Sequence, residues 1–285
     1  MKRSAMLAFS DAHANLGPMK PSAMSDARAT RQLFLAACTV AAGLVAGARD
    51  VGAQGTDGPF ARWAGVVIAG DFHGAGGGDT EAFDNARRDV SDALVRRGFA
   101  ADHLKQFSVR PERYPDVTPL RATQSEIRDT LLDLTYRAPE GCLFYITSHG
   151  TPMGITLGTA ALSPRDISQM LDQTCGSVPT IVFISACYSG SYIPALQAAN
   201  RMIMTAARYD RTSFGCGEGN KYPYFDECFL QAIPGSRGFP NLGANVQDCI
   251  AARERREGLK PPSEPQLRIG ASVERLLAGA AFRKD

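Results

Sequence analysis

Two residues of this chain have the chemistry for acyl transfer, and each closes an apolar run. Cys187 ends the stretch IVFISAC, residues 181–187, just before Tyr188-Ser189-Gly190-Ser191. His149 comes near the end of CLFYITSHG, residues 142–150. A thiol attacks a carbonyl as its thiolate, which is scarce at neutral pH for an ordinary cysteine. A neighbouring imidazole meets that need by taking the thiol proton, and it later hands a proton to the leaving group. The attack also creates an oxyanion, which needs preorganised N–H donors. Gly150 has no side chain to shield its amide, and the amide of Cys187 is a second donor. Small residues after both positions leave room for an extended chain lying against the backbone.

For the two side chains to meet, their runs must be neighbouring parallel strands. Short apolar runs rich in β-branched and aromatic residues and closed by small ones read as buried strands. In open α/β sheets ligands bind beyond the carboxyl ends of such strands. Further strands are expected over 65–69 (GVVIA), 104–109, 201–206 and 266–269, with a short ribbon at Ile155-Thr156-Leu157. Helical spacing fills the intervals. Phe83, Ala86, Val90 and Leu94 share one face of 81–97, and Gly98 follows as a C-cap. Thr123 and Glu126 form a capping pattern ahead of Ile127, Leu131 and Leu134. Ser163-Pro164 opens a helix to about 173, and two more are expected near 225–233 and 244–257. Strands alternating with helices predict one α/β domain: a mostly parallel six-stranded sheet with helices on both faces.

The loop after the first strand, FHGAGGGDT at 72–80, is glycine-rich. It lacks the spacing of a dinucleotide-binding turn. It reads either as a surface loop or as a substrate-side loop at the strand's carboxyl end.

Composition excludes little but does so clearly. The 285 residues carry 31 Lys plus Arg against 29 Asp plus Glu, interspersed, so no basic patch argues for nucleic acid. No C-x-x-C pair occurs, which argues against a thiolate zinc site. From Met24, two arginines, the apolar run LFLAACTVAAGLVAGA and the small-x-small Val51-Gly52-Ala53 make a secretory signal, with cleavage expected after Ala53 and Ala46-Gly47-Ala48 as the other site. Residues 1–53 are therefore assigned to an extension and signal, 54–62 to a lead-in and 63–285 to the domain. The apolar run is shorter than the roughly 20 residues a span needs, so an exported mature chain without an integral membrane span is expected. Cys38 leaves with the signal. If Cys187 stays free, the remaining five cysteines allow two bridges and one leftover, with Cys216, Cys228 and Cys249 in the loop-rich last third as the expected bridge formers.

The two motifs in this order, Ser148-His149-Gly150 and then Ala186-Cys187-Tyr188-Ser189-Gly190-Ser191, resemble the legumain-type cysteine peptidases (peptidase family C13), in the wider group that contains caspases and gingipains. The resemblance spans about Trp63 to Phe229, and Thr205-Ala206, Thr212-Ser213 and Cys216 also fit its pattern. It implies a caspase-like sandwich, His149 as general base and acid, Cys187 as nucleophile, and the amides of Gly150 and Cys187 as the oxyanion hole. It also implies a peptide or protein substrate and no metal or organic cofactor.

Asp226, Ser185, Ser213 and Asp71 are the substrate-side candidates that the resemblance implies. Asp226 matches the acid at the floor of the family's specificity pocket; read without the resemblance, it is an exposed first-turn acid stabilised by a helix dipole. Three departures bear on specificity. Ala82 and Phe83 stand where the family has Arg-His, and Ser185 stands where it has Glu. A pocket that keeps its acid and loses its arginine should accept a basic or neutral residue better than an acidic one. The asparagine that orients the family's histidine has no counterpart in Gly70-Asp71-Phe72-His73, where Asp71 is the candidate third member. The same acyl-enzyme would serve a transpeptidase or ligase. A catalytically silent caspase-like binding protein is the further alternative, against which the intact His149 and Cys187 stand.

Overall fold

The structure, a computed structural model, describes residues 58–284; the expected signal and its cleavage site lie outside them. In chain order the elements are β1 (Trp63–Ala69), α1 (Ala82–Arg96), β2 (Leu104–Ser108), β3 (Leu120–Arg121), α2 (Gln124–Arg137), β4 (Gly141–Thr147), β5 (Gly150–Thr151), β6 (Gly154–Leu157), β7 (Ala160–Leu162), α3 (Pro164–Thr174), β8 (Thr180–Ser185), α4 (Ile193–Leu196), β9 (Arg201–Thr205), α5 (Tyr224–Ala232), α6 (Phe239–Glu257), β10 (Gln266–Ile269) and α7 (Ala271–Gly279).

The main sheet has the order β10-β9-β8-β4-β1-β2-β3. Its neighbours are parallel except β10, which runs antiparallel to β9. The sequence predicts six of these strands; the seventh, β3, is a two-residue edge pair too short to show any periodicity. β5, β6 and β7 form a separate antiparallel ribbon around the predicted 155–157 segment.

The central strands β1, β4, β8 and β9 are buried on both faces, and alternate residues feed two different cores. Val67, Leu143, Tyr145, Ile181, Phe183, Met202 and Met204 meet α1, α5, α6 and α7 through Val90, Leu94, Phe229, Leu242, Val246 and Val273. Val66, Ile68, Phe144, Ile146, Val182, Ile184 and Ile203 meet α2, α3 and α4 through Ile127, Leu131, Ile167, Leu171 and Leu196. A one-residue slip of any central strand would send each side chain to the wrong core. At roughly 1.5–3 kcal/mol per buried large apolar side chain, the hydrophobic effect favours tight packing in both cores, and this packing holds the register on which the site depends. The lead-in also contributes, because Phe60 is fully buried with its ring 5.3 Å from that of Trp63.

Local signals set the helix starts. Ser163 and Asp166 make a reciprocal capping box at α3, and Thr123 Oγ1 accepts the Glu126 amide at 3.2 Å to cap α2.

The disulfides correct one expectation. Among the described residues they join Cys142 to Cys175 and Cys228 to Cys249, leaving Cys187 and Cys216 free. Cys142 lies at the start of β4 and Cys175 caps the end of α3. That pairing depends on how the helix crosses the sheet, which spacing along the chain does not reveal. Cys216, expected among the bridge formers, is the leftover.

From β1 the chain goes to β2 and β3 on one side, then returns to β4 on the other and continues to β8 and β9. The direction of winding therefore reverses between β1 and β4. Their carboxyl ends form the crevice where open α/β sheets bind ligands.

Candidate active site

The register of β4 and β8 sets the site. Thr147 pairs with Ser185, and the Ser148 amide donates to the Ser185 carbonyl at 3.0 Å, so the two chains stay in step past the sheet edge. His149 and Cys187 each follow that pair by two residues. A Cβ placed on Gly150 would lie 2.1 Å from the Cys187 carbonyl oxygen. Only glycine lets the histidine segment approach the cysteine segment this closely.

The chain turns sharply after the nucleophile candidate. Tyr188 adopts a left-handed conformation with φ of 57°, an uncommon state for a bulky residue that must be held by its surroundings. Its amide donates to the Arg211 carbonyl at 2.7 Å, and the Gly190 amide donates to the Ala207 carbonyl at 2.8 Å. The loop beyond β9 thus clamps the turn, and the same loop reaches the sulfur. The Ser213 amide donates to Cys187 Sγ at 3.2 Å, with the Ser213 hydroxyl oxygen 3.6 Å from the sulfur.

His149 takes its partner from the backbone. Its Nε2 lies 2.9 Å from the carbonyl oxygen of His73. A carbonyl only accepts, so Nε2 carries the hydrogen and Nδ1 is the nitrogen free to take a proton. The ring edge of Phe83, a buried side chain of α1, packs against the imidazole with centroids 5.2 Å apart. Asp71, the predicted third member, does not supply the contact seen on His149. Its Oδ1 accepts from the amides of Phe72 and His73 at 2.7 and 3.1 Å and lies 2.8 Å from His73 Nδ1. It braces the turn that presents the His73 carbonyl.

Beneath the pair lies Asp226, in the first turn of α5 and 0% exposed, which excludes the exposed first-turn acid. Oδ1 accepts from Tyr145 OH at 2.6 Å; Oδ2 accepts from Thr147 Oγ1 at 2.9 Å and Ser185 Oγ at 2.7 Å. Burial raises its pKa to about 6, with the three hydroxyl donors pulling the other way. Burial first, and then the Asp226 charge, hold the Tyr145 phenol well above its ordinary range. Ser185 is also buried, so both residues support the floor from below in this conformation.

Burial, aided by the nearby Cys187, pushes the second free thiol, Cys216, up to about 11. It stays protonated near neutral pH. Among the described residues no cluster of three or more His, Cys, Asp or Glu would hold a metal, and no helix is long and apolar enough to cross a membrane.

Of the predicted residues, the fold brings His149, Gly150, Cys187 and Ser213 together at the surface of the crevice, and sets Ser185 and Asp226 below them. Sequence reasoning missed the His73 carbonyl, which has no side-chain signature. It also missed Tyr145 and Thr147 as partners of Asp226. Hydroxyls two apart in an otherwise apolar strand were the available signal, since they share a buried face and need an acceptor there.

Residues 123–234 match the model of the Peptidase C13 family. No curated protein sequence matches the chain. Among solved structures, caspase-1 from Spodoptera frugiperda aligns with a TM-score of 0.53 at 15% identity, over 75% of this chain and 90% of that one. At that identity the likeness is one of fold: a mostly parallel sheet between helical layers. The segment matched by the family model includes both His149 and Cys187, and the caspase-like architecture extends around it; together they support a cysteine peptidase of this general kind.

Proposed function

We propose that the chain cleaves peptide bonds through Cys187 and His149 by way of a thioester. The observation that carries this reading is the pairing of Thr147 with Ser185, from which His149 and Cys187 leave the sheet edge in step. His149 Nδ1 takes the Cys187 proton, and the sulfur attacks the substrate carbonyl to form a tetrahedral adduct. The amides of Gly150 and Cys187 receive the negative charge on its oxygen; one such donor is worth on the order of 100-fold in rate. The carbon–nitrogen bond breaks as the imidazolium gives its proton to the departing amine. A water molecule, deprotonated by His149, then attacks the thioester, releasing the carboxylic acid and the free thiol. The His73 carbonyl keeps Nε2 protonated throughout, so a single nitrogen carries the proton traffic.

The substrate is a peptide or protein. From beneath the floor, through its charge and not by contact, the Asp226 carboxylate disfavours an acidic residue just ahead of the scissile bond, leaving neutral and basic residues as the preferred class. Export of the mature chain fits two disulfides in one small domain, because an oxidising compartment preserves them.

Acyloxymethyl-ketone peptide probes carrying Asn, Asp, Arg or Lys test both parts, applied to the wild type, Cys187→Ala and His149→Ala. Labelling is expected in the wild type, absent in Cys187→Ala, strongly reduced in His149→Ala and weakest with the Asp probe. Labelling that survives Cys187→Ala would overturn the nucleophile, and a preference for the Asp probe would overturn the specificity.

A further inference from the structure

The glycine-rich loop at 74–78 takes no part in the reaction derived above, yet it is wrapped around one side chain. The Gly78 amide donates to Glu218 Oε1 at 3.1 Å. A Cβ placed on Gly74, Gly76 or Gly78 would come within 2.7, 2.6 or 3.2 Å of Glu218 atoms. Glycines at alternate positions thus leave a cradle, and the Glu218 carboxylate fills it. Donation from its own amide, and then from those of Gly78 and Gly76, holds this carboxyl below the ordinary glutamate range, so it is charged wherever the protein is near neutral pH. Alongside it, the Ala75 amide donates to the Cys216 carbonyl at 2.9 Å.

The two segments joined here hold the two reacting side chains. On one side, the residue before Gly74 is His73, whose carbonyl fixes His149 Nε2 at 2.9 Å. On the other, Ser213 lies in the same loop as Glu218 and donates to Cys187 Sγ at 3.2 Å. We propose that Glu218 is a positioning residue: its carboxylate clasps the glycine loop to the 213–218 segment and so keeps the support of His149 in step with the support of Cys187. It touches neither substrate nor the reacting atoms. The proposal rests on the Cys187–His149 reading, and it explains why an exposed loop carries glycines where any small polar residue would otherwise serve.

Gly76 makes the test specific. Its backbone lies outside the left-handed region, and the three atoms nearest an added Cβ all belong to Glu218. Alanine there therefore strains nothing but the clasp. Steady-state cleavage of a fluorogenic peptide bearing the preferred residue is measured for wild type, Glu218→Ala, Glu218→Gln, Gly76→Ala and Gly76→Ala/Glu218→Ala, with melting temperatures alongside. Glu218→Ala is expected to lower kcat about tenfold, the scale on which small misplacements of reacting groups act, with KM and melting temperature close to wild type. Glu218→Gln keeps an acceptor for Gly78 and should recover most of the rate. Gly76→Ala should resemble Glu218→Ala, and the double variant should be no worse than either.

Wild-type kcat in Glu218→Ala, a loss confined to KM, a loss that follows a lowered melting temperature, or multiplicative losses in the double variant would each overturn the clasp. An inactive wild type would remove the dyad reading and the clasp with it, whereas an active wild type with an unaffected Glu218→Ala removes the clasp alone.

Discussion

The carboxylate of Asp226 lies 2.7 Å from the hydroxyl of Ser185, and the same Oδ2 accepts from Thr147, the residue paired with Ser185 across the sheet. One buried oxygen therefore spans the two strand ends from which His149 and Cys187 leave. The cost of burying that charge is visible in its pKa, raised from 3.8 to about 6. In the folded state the proton is held over a pH range where the unfolded chain has released it. Stability from this group is thus greatest below 3.8 and falls as pH rises to about 6. At 1.36 kcal/mol per unit, the shift is worth about 3 kcal/mol. Asp226→Asn does not titrate, so the difference in unfolding free energy between wild type and variant should move in the variant's favour by about that amount across the window. Denaturant titrations at several pH values check it; a pH-independent difference would contradict the buried, raised carboxyl.

The parts of the site that the sequence reveals are those whose signal is periodic or local. β4 and β8 are continuous apolar runs with small residues after them, so their ends, and hence His149 and Cys187, are legible. The edge strand at 266–269 is legible for a different reason, the alternation of Leu267 and Ile269 with the polar Gln266 and Arg268. The support of His149 is not, because a backbone carbonyl such as that of His73 has no residue code. Asp226 was ambiguous because a first-turn acid is normally solvated; only the docking of α5 on the sheet buries it. The Cys142–Cys175 bridge was hidden for a related reason, since it depends on where α3 crosses β4.

Phe83 stands where a polar pair was expected from the resemblance, and its ring edge meets the imidazole of His149 at 5.2 Å. On the proposed mechanism its role is to hold His149 rather than to line a pocket. Phe83→Leu keeps most of the buried volume and loses the aromatic contact, which costs roughly 1 kcal/mol of stability. The expected kinetic result is a lower kcat with KM nearly unchanged, because the ring does not meet substrate. A raised KM at wild-type kcat would instead assign Phe83 to the pocket.

Gly150 is constrained from outside its own strand. An added methyl would sit 2.1 Å from the Cys187 carbonyl oxygen and 3.1 Å from Ala186 Cβ, and both belong to the packed segment that leads into the turn after Cys187. Neither can retreat without moving Cys187. Gly150→Ala should therefore lose probe labelling by at least about 100-fold, the penalty expected when reacting groups shift by about 1 Å. Far-UV and near-UV circular dichroism should show the domain still folded, because the disturbance lies beyond the sheet edge. Near-wild-type labelling would mean that the His149 and Cys187 segments do not pack this closely.

The Cys228–Cys249 bridge ties α5, which carries Asp226, to α6 across 21 residues of chain. A loop of that size is worth about 3 kcal/mol to the folded state in the chain-entropy account. Cys249 is only partly buried, whereas Cys142 and Cys175 are 0% and 3% exposed. Thiol exchange needs access to a sulfur. A mild thiol reductant, of the kind used to keep Cys187 reduced, should open the first bridge in the native protein and spare the second. Alkylation followed by mass analysis should then find Cys228 and Cys249 modified in addition to the free thiols, and the unfolding midpoint should fall to that of Cys228→Ser/Cys249→Ser. That variant should be indifferent to reductant and still label at Cys187, because the hydroxyls of Tyr145, Thr147 and Ser185 continue to hold Asp226 under the strand ends. If labelling disappears along with the bridge, the docking of α5 depends on the covalent tie and not on those hydrogen bonds.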